Sequence, residues 1–149
     1  MRKVLLFSLI ILCFFSCTKK SEYSLTPKIS YIEMQPKQLN VIPASGSTYI
    51  TLSFSDGDGD IGFGTNNLYL KDSRDSTTIV MEIPEIPGEY NPNLGLKGQF
   101  VIEYKAAWLS LRPDTAHLTK DTLQWEIYMV DKAGNKSNTI NTDTLFLFK

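Results

Sequence analysis

Cysteine is nearly absent from this chain. The two that occur, Cys13 and Cys17, both lie in the first 17 of its 149 residues. A domain built from the rest has no disulfide available and depends on its own core. Histidine occurs once, as His117. A single imidazole with no thiol beside it excludes a zinc site of the usual nitrogen and sulfur ligands. There is no Gly-x-Ser-x-Gly elbow, no Gly-x-x-x-x-Gly-Lys phosphate loop and no dinucleotide-binding glycine motif. A Ser-His-Asp triad is arithmetically available, but His117 stands in the polar stretch LRPDTAHLTKD and reads as a solvated loop residue. No pair among the 16 acidic residues stands out for glycoside hydrolysis, where separation in space decides. The chain is therefore expected not to be an enzyme. Basic residues do not cluster, which argues against nucleic acid as a partner. The apolar run over residues 4–15 is 12 long, short of the roughly 20 that a membrane-spanning helix needs.

What the N-terminus does contain is a basic start, Met1-Arg2-Lys3, followed by that apolar run, the layout of a secretory signal peptide. The run closes on Phe14-Phe15-Ser16-Cys17. A small residue directly before a cysteine resembles the lipobox of bacterial lipoproteins. Phe stands at the two positions before Ser16 where Leu and then Ala or Ser are usual. Cys13 is a poorer candidate because Leu12 before it is too large for the cleavage site. The resemblance implies a diacylglycerol on Cys17, cleavage before it and acylation of the new N-terminus. Residues 1–16 are then a signal peptide, 17–28 a lipidated polar tether (CTKKSEYSLTPK) and 29–149 the domain. Without Arg2 and Lys3, 13 basic side chains face 16 acidic ones, a formal charge of −3. Membrane attachment would come from acyl chains such as palmitate and not from a polybasic surface. The second residue after the cysteine is Lys19 and not the Asp that commonly marks inner-membrane retention in such lipoproteins. The resemblance thus implies an outer-membrane address, with periplasmic face and cell surface both open.

Beyond the tether the pattern has period two. Residues 49–55 (YITLSFS) alternate, with Ile50, Leu52 and Phe54 on one face. Residues 123–129 (LQWEIYM) place Leu123, Trp125, Ile127 and Met129 together, and residues 99–104 (QFVIEY) do the same with Phe100, Ile102 and Tyr104. Further strands are expected at 29–34, 67–71, 77–83 and 144–148, all rich in Thr, Ile, Val and aromatics. Turn-forming residues separate the seven: PASG at 43–46, the DGDGD stretch, 71–76 and Ala133-Gly134-Asn135. No amphipathic helix is visible; Ala106-Ala107-Trp108-Leu109 has room for one helical turn before Pro113. Seven short strands without intervening helices predict an all-β fold, an antiparallel β-sandwich. An up-and-down barrel is the alternative. Two connections are long, 84–98 (PEIPGEYNPNLGLKG) and 105–121. Each is either a ligand-bearing loop or an insertion packed on the sandwich edge.

The segment YMVDKAGNKS at 128–137 resembles the penultimate strand and following turn of bacterial immunoglobulin-like, cadherin-like surface domains. There a strand commonly ends in Asp-x-Ala-Gly-Asn and a last strand follows. FSDGDGDIG at 54–62 resembles the end of the second strand in the same class, and in uncharacterised lipoproteins of the Bacteroidota. The resemblance covers the strand pattern from about Ile29 onward and implies an immunoglobulin-like sandwich.

The stretch DGDGDIGFG at 56–64 has two readings. Aspartates at alternate positions begin many calcium loops, because Ca²⁺ takes six to eight oxygen ligands. An EF-hand is excluded: its sixth position is Ile61 and not Gly, its twelfth is Asn67 and not Glu, and no helices flank it. In an immunoglobulin-like arrangement, however, the loops after the second and sixth strands share one pole. Asp131 and the side-chain oxygen of Asn135 would then join Asp56, Asp58 and Asp60 around Ca²⁺. The other reading is a tight turn needing no metal, with glycines supplying positive φ and Asp side chains bonding to backbone amides.

Aromatics supply the remaining candidates. Trp125 alternates into the expected core. Tyr90 and Trp108 lie on the long connections, free to stack on sugar rings, fill a partner's pocket or cap the sandwich edge. Three functional classes follow: a non-catalytic binding or accessory module of an envelope assembly, a carbohydrate or small-ligand binder using Tyr90 or Trp108, and a small hydrolase built on His117 or a buried carboxylate pair.

Overall fold

The computed structural model describes residues 21–62, 66–83, 95–111 and 119–149. Eleven strands follow one another: β1 Lys28–Gln35, β2 Gln38–Val41, β3 Ala44–Ser45, β4 Ser47–Asp56, β5 Asn66–Asp72, β6 Thr78–Glu82, β7 Leu96–Lys105, β8 Lys120–Leu123, β9 Trp125–Met129, β10 Ile140–Asn141 and β11 Leu145–Phe148. A single 3-10 turn, Ala106–Trp108, follows β7, where one helical turn is expected from the sequence.

The alternation sets which face each strand buries. In β4 the side chains of Thr48, Ile50, Leu52, Phe54 and Asp56 are buried, and those between them are not. In β9 the buried set is Trp125, Ile127 and Met129. These residues join Ile102 and Tyr104 of β7, Leu68 and Leu70 of β5, and Leu145 and Leu147 of β11 in one continuous core. Burying such a face is worth roughly 25 cal/mol per Å² of apolar surface, which is the main force holding two disulfide-free layers together.

The first layer has the order β1-β4-β7, antiparallel throughout. The other strands form two four-stranded sheets, β10-β9-β5-β6 and β3-β2-β11-β8, joined where the chain passes from β8 to β9 and from β10 to β11. β8 and β9 are one run of chain interrupted at Gln124, and β10 and β11 are its hairpin partners. Ile140 faces Ile127 in one half while Leu145 faces Leu123 in the other, a one-residue offset that bends the hairpin. This is the all-β sandwich that the alternation predicts, with non-sequential strand order in place of an up-and-down barrel. The strand count is higher than the seven expected. The additions are the short strands β2 and β3, the separate β8, and β10, with β3 at the sheet edge and β2 between it and β11. β3 occupies part of the stretch expected to be a turn. One pairing is parallel: β11 runs alongside β2 from Phe146–Gln38 to Phe148–Asn40.

The segment expected to be a free tether lies against the domain over its described residues, 21–27. Gly57 N donates to Ser24 O at 2.7 Å, and Pro27 is buried. Among the described residues no helix is long and apolar enough to cross a membrane.

Candidate metal centre

β4 and β9 end at the same pole, and each carries its core-facing phase one step past its last apolar residue. In β4 the series Ile50, Leu52, Phe54 continues to Asp56, which has 0% exposure. After β9, Trp125, Ile127 and Met129 continue to Asp131, which is also buried. Period two therefore aims two carboxylates into the end of the core. The loop after β4 then returns a third. Asp60 N donates to Asp56 Oδ2 (3.1 Å), Ala133 N donates to Asp60 Oδ2 (2.9 Å) and Lys132 N donates to Asp60 O (3.4 Å). Val130 N donates to Asn67 O (2.8 Å), which ties the two loops together again at the start of β5. Gly59 and Gly62 adopt φ of 69° and 94°, a conformation costly for other residues, and this lets the loop turn while Ile61 enters the core.

The result is a cluster in which carboxylate oxygens of Asp56, Asp60 and Asp131 lie within 4.8 Å of one another. Asp58 lies beside Asp56. Asp56 Oδ1, Asp58 Oδ1 and Asp60 Oδ1 are buried with no hydrogen-bond partner among the described groups. The ion pairs lie elsewhere, so among the described residues no lysine or arginine pairs with the cluster. The electrostatic consequence appears in the acids themselves. Burial, then the Asp58 carboxyl and the charges of Asp58 and Asp60, push Asp56 from 3.8 up to about 7, against a lowering contribution from the Asp60 amide. Asp60 is also raised, by burial and then by Asp131 and Asp58, although the amides of Ala133 and Lys132 oppose this.

Three converging carboxylates with a fourth, Asp58, beside Asp56, and no cationic partner among the described residues, are an all-oxygen, strongly anionic donor set. That set suits a hard divalent cation, Ca²⁺ above all, and not the softer metals that favour nitrogen and sulfur. The structure thus brings together Asp56, Asp60 and Asp131 from the two loops, with Asp58 beside Asp56 but outside the set of mutually close oxygens. Asn135 has a different position from the one expected. Its backbone N donates to Asp131 Oδ1 (2.7 Å) and its Nδ2 to Asp131 Oδ2 (2.8 Å), so it orients Asp131 from behind and presents donors to it. Cys17, Tyr90 and His117 lie outside the described residues. Trp108 is 54% exposed; it meets Tyr104 edge-on at 5.4 Å, with Lys105 Nζ 5.7 Å from its ring centre. The two features not anticipated from the sequence are the role of Asn135 and the core-facing phase of Asp56. The second was available by extending the β4 alternation by two residues.

A scan against protein-family models, a search of curated proteins and a search of solved structures each returned no match to this chain.

Proposed function

We propose that this chain is an exported, lipid-anchored β-sandwich that serves as a non-catalytic binding or accessory module of the bacterial outer membrane, with a calcium ion closing its acidic pole. The observation that carries the calcium reading is the set of unpartnered, buried oxygens on Asp56, Asp58 and Asp60 beside Asp131. Calcium would supply the positive charge that the pole lacks and fix two loops at once, without doing chemistry. The lipid anchor rests on the sequence FFSC at 14–17 and its likeness to a lipobox. A hydrolase using these carboxylates is disfavoured because Asp56 has no accessible surface to offer a substrate.

Calorimetric titration with calcium tests the metal: one binding event is expected, abolished in Asp60→Ala, and no heat at millimolar calcium overturns it. Radiolabelled palmitate tests the anchor: label is expected in the wild type and not in Cys17→Ser, and an unlabelled wild type overturns it. Trp108 supports a second reading, a glycan or small-ligand binder, because its indole stands half in solvent on a core-anchored tyrosine. That reading predicts retardation in glycan-containing gels that Trp108→Ala removes.

A further inference from the structure

The residues that build the acidic pole also hold the chain segment leading toward the proposed anchor. Gly57, between Asp56 and Asp58, is the first contact. Its N–H donates to Ser24 O at 2.7 Å. A Cβ placed on it would stand 2.5 Å from Tyr23 O and 2.7 Å from Ser24 O, so the segment passes where a side chain would otherwise be. Gly95 is the second. A Cβ there would meet Ser21 Oγ at 2.5 Å and Asp56 O at 2.6 Å, so strand, loop and segment converge at this point. Asn135 is the third: the Nδ2 that bonds Asp131 also reaches Leu25 O at 3.5 Å. Each contact is made by a neighbour of a candidate ligand or by the residue that orients one.

From this shared set of residues we propose that calcium at the acidic pole locks residues 21–27 onto the domain, and that its loss releases them. The inference rests on the calcium reading above. With the ion present, the four carboxylates are drawn together, the loop after β4 stays closed, and Gly57 and Asn135 present their donors to the segment. Without it, like charges a few Å apart repel. The loop beyond Asp56 loosens while Asp56 itself stays paired with Leu96 at the end of β4, and the docking groove opens with the loop. The coupling is reciprocal: a docked segment favours the closed loop and so tightens calcium binding. Released, residues 21–27 would lengthen the span between Cys17 and the sandwich. The working distance of the domain from its membrane would therefore depend on external calcium.

The test is limited chymotrypsin digestion of the full chain in detergent, in millimolar calcium and in EDTA, read as cleavage after Tyr23 and Leu25 and corrected for the protease's rate on a free peptide of residues 21–27. Calorimetry runs alongside on the same sample. Because the segment docks through the carbonyls of Ser24 and Leu25, calcium is expected to slow this cleavage at least about tenfold, the scale of a 1.4 kcal/mol coupling. In Gly57→Ala the segment is expected to be cut fast in both conditions while calcium still binds, at reduced affinity. Calcium heat with unchanged cleavage within residues 21–27 overturns the lock and leaves the metal site standing. Slow cleavage in Gly57→Ala with calcium bound also overturns it. Absence of calcium heat overturns both.

Discussion

Asp56 and Asp131, 75 positions apart in the chain, bring carboxylate oxygens within 4.8 Å of each other because each is the next core-facing residue after a run of buried apolar ones. The far pole uses the same device with a different resolution. Asp72 continues the inward series Leu68 and Leu70, and Asp121 precedes Leu123 and Trp125 on the inward face of β8 and β9. There Arg74 reaches both. It binds Asp72 through Nε and Nη2 (2.7–3.1 Å) and Asp121 through Nη1 (3.3 Å). One end of the sandwich thus carries its own cation, while the other brings three carboxylates together, with Asp58 beside them, and among the described residues no basic side chain pairs with them. This internal contrast argues for a metal at the second pole more strongly than the acidic motif does alone.

Arg74 also has a stability consequence. Removing one member of a buried ion pair leaves a charge without compensation, which costs about 3–5 kcal/mol. Arg74→Ala is therefore expected to lower unfolding free energy by about that amount in urea denaturation. Arg74→Lys is expected to recover only part, because an ammonium lacks the planar fork that grips Asp72.

The raised Asp56 gives a pH signature in the metal-free protein. Its folded value of about 7 lies above the ordinary 3.8, so the folded state holds a proton that the unfolded chain has released. Its contribution to stability is full below pH 4 and is lost as pH rises through 7. In EDTA, Tm is expected to fall between pH 5 and pH 8 beyond the trend of Asp56→Asn. In millimolar calcium this decline should vanish or reverse, since the ion binds the deprotonated site. A flat profile in EDTA for wild type would contradict the burial of an uncompensated acid.

Asn135 touches no other cluster acid among the described residues, yet it holds both oxygens of Asp131. Groups that orient a metal ligand typically contribute 10–100-fold in affinity. Asn135→Ala is expected to weaken calcium by about that factor while leaving stability in EDTA nearly unchanged. A loss of metal-free stability with unaltered affinity would make Asn135 a turn residue only.

The two layers can be checked through paired substitutions. Leu52 is fully buried at the centre of β4, and Val101 on neighbouring β7 is 54% exposed. Leu52→Ala is expected to cost about 2–5 kcal/mol in denaturant unfolding. Val101→Ala should stay within about 0.5 kcal/mol, as surface changes do.

The parts of this architecture that were legible in the sequence are those governed by local periodicity. Ile50, Leu52 and Phe54 announce their face, as do Trp125, Ile127 and Met129. That the two acidic turns share one pole is what the likeness to immunoglobulin-like domains implies, not a product of the alternation. The short strands β2 and β3 were not legible. β2 has only four residues, and its parallel pairing with β11 joins positions more than 100 apart, which no local pattern encodes. The Arg74 network was hidden for the same reason: its fork joins Asp72 and Asp121, which β6 and β7 separate in the chain. Residues 21–27 are polar and read as linker, yet they dock because two glycines, Gly57 and Gly95, leave room for backbone to pass. Composition reports polarity, not the absence of a Cβ on the opposing surface. Asn135 was read as a ligand because its type fits, while its actual place depends on a turn that points its amide at Asp131.

The central claim is that a calcium ion belongs between Asp56, Asp58, Asp60 and Asp131. A crystal structure of the domain grown in millimolar calcium, with anomalous data collected at long wavelength, tests it most directly. The account predicts one anomalous peak at this pole, with oxygens of Asp56, Asp60 and Asp131 about 2.3–2.6 Å from it. A pole with no peak, its carboxylates hydrogen-bonded to one another or to water alone, would contradict it.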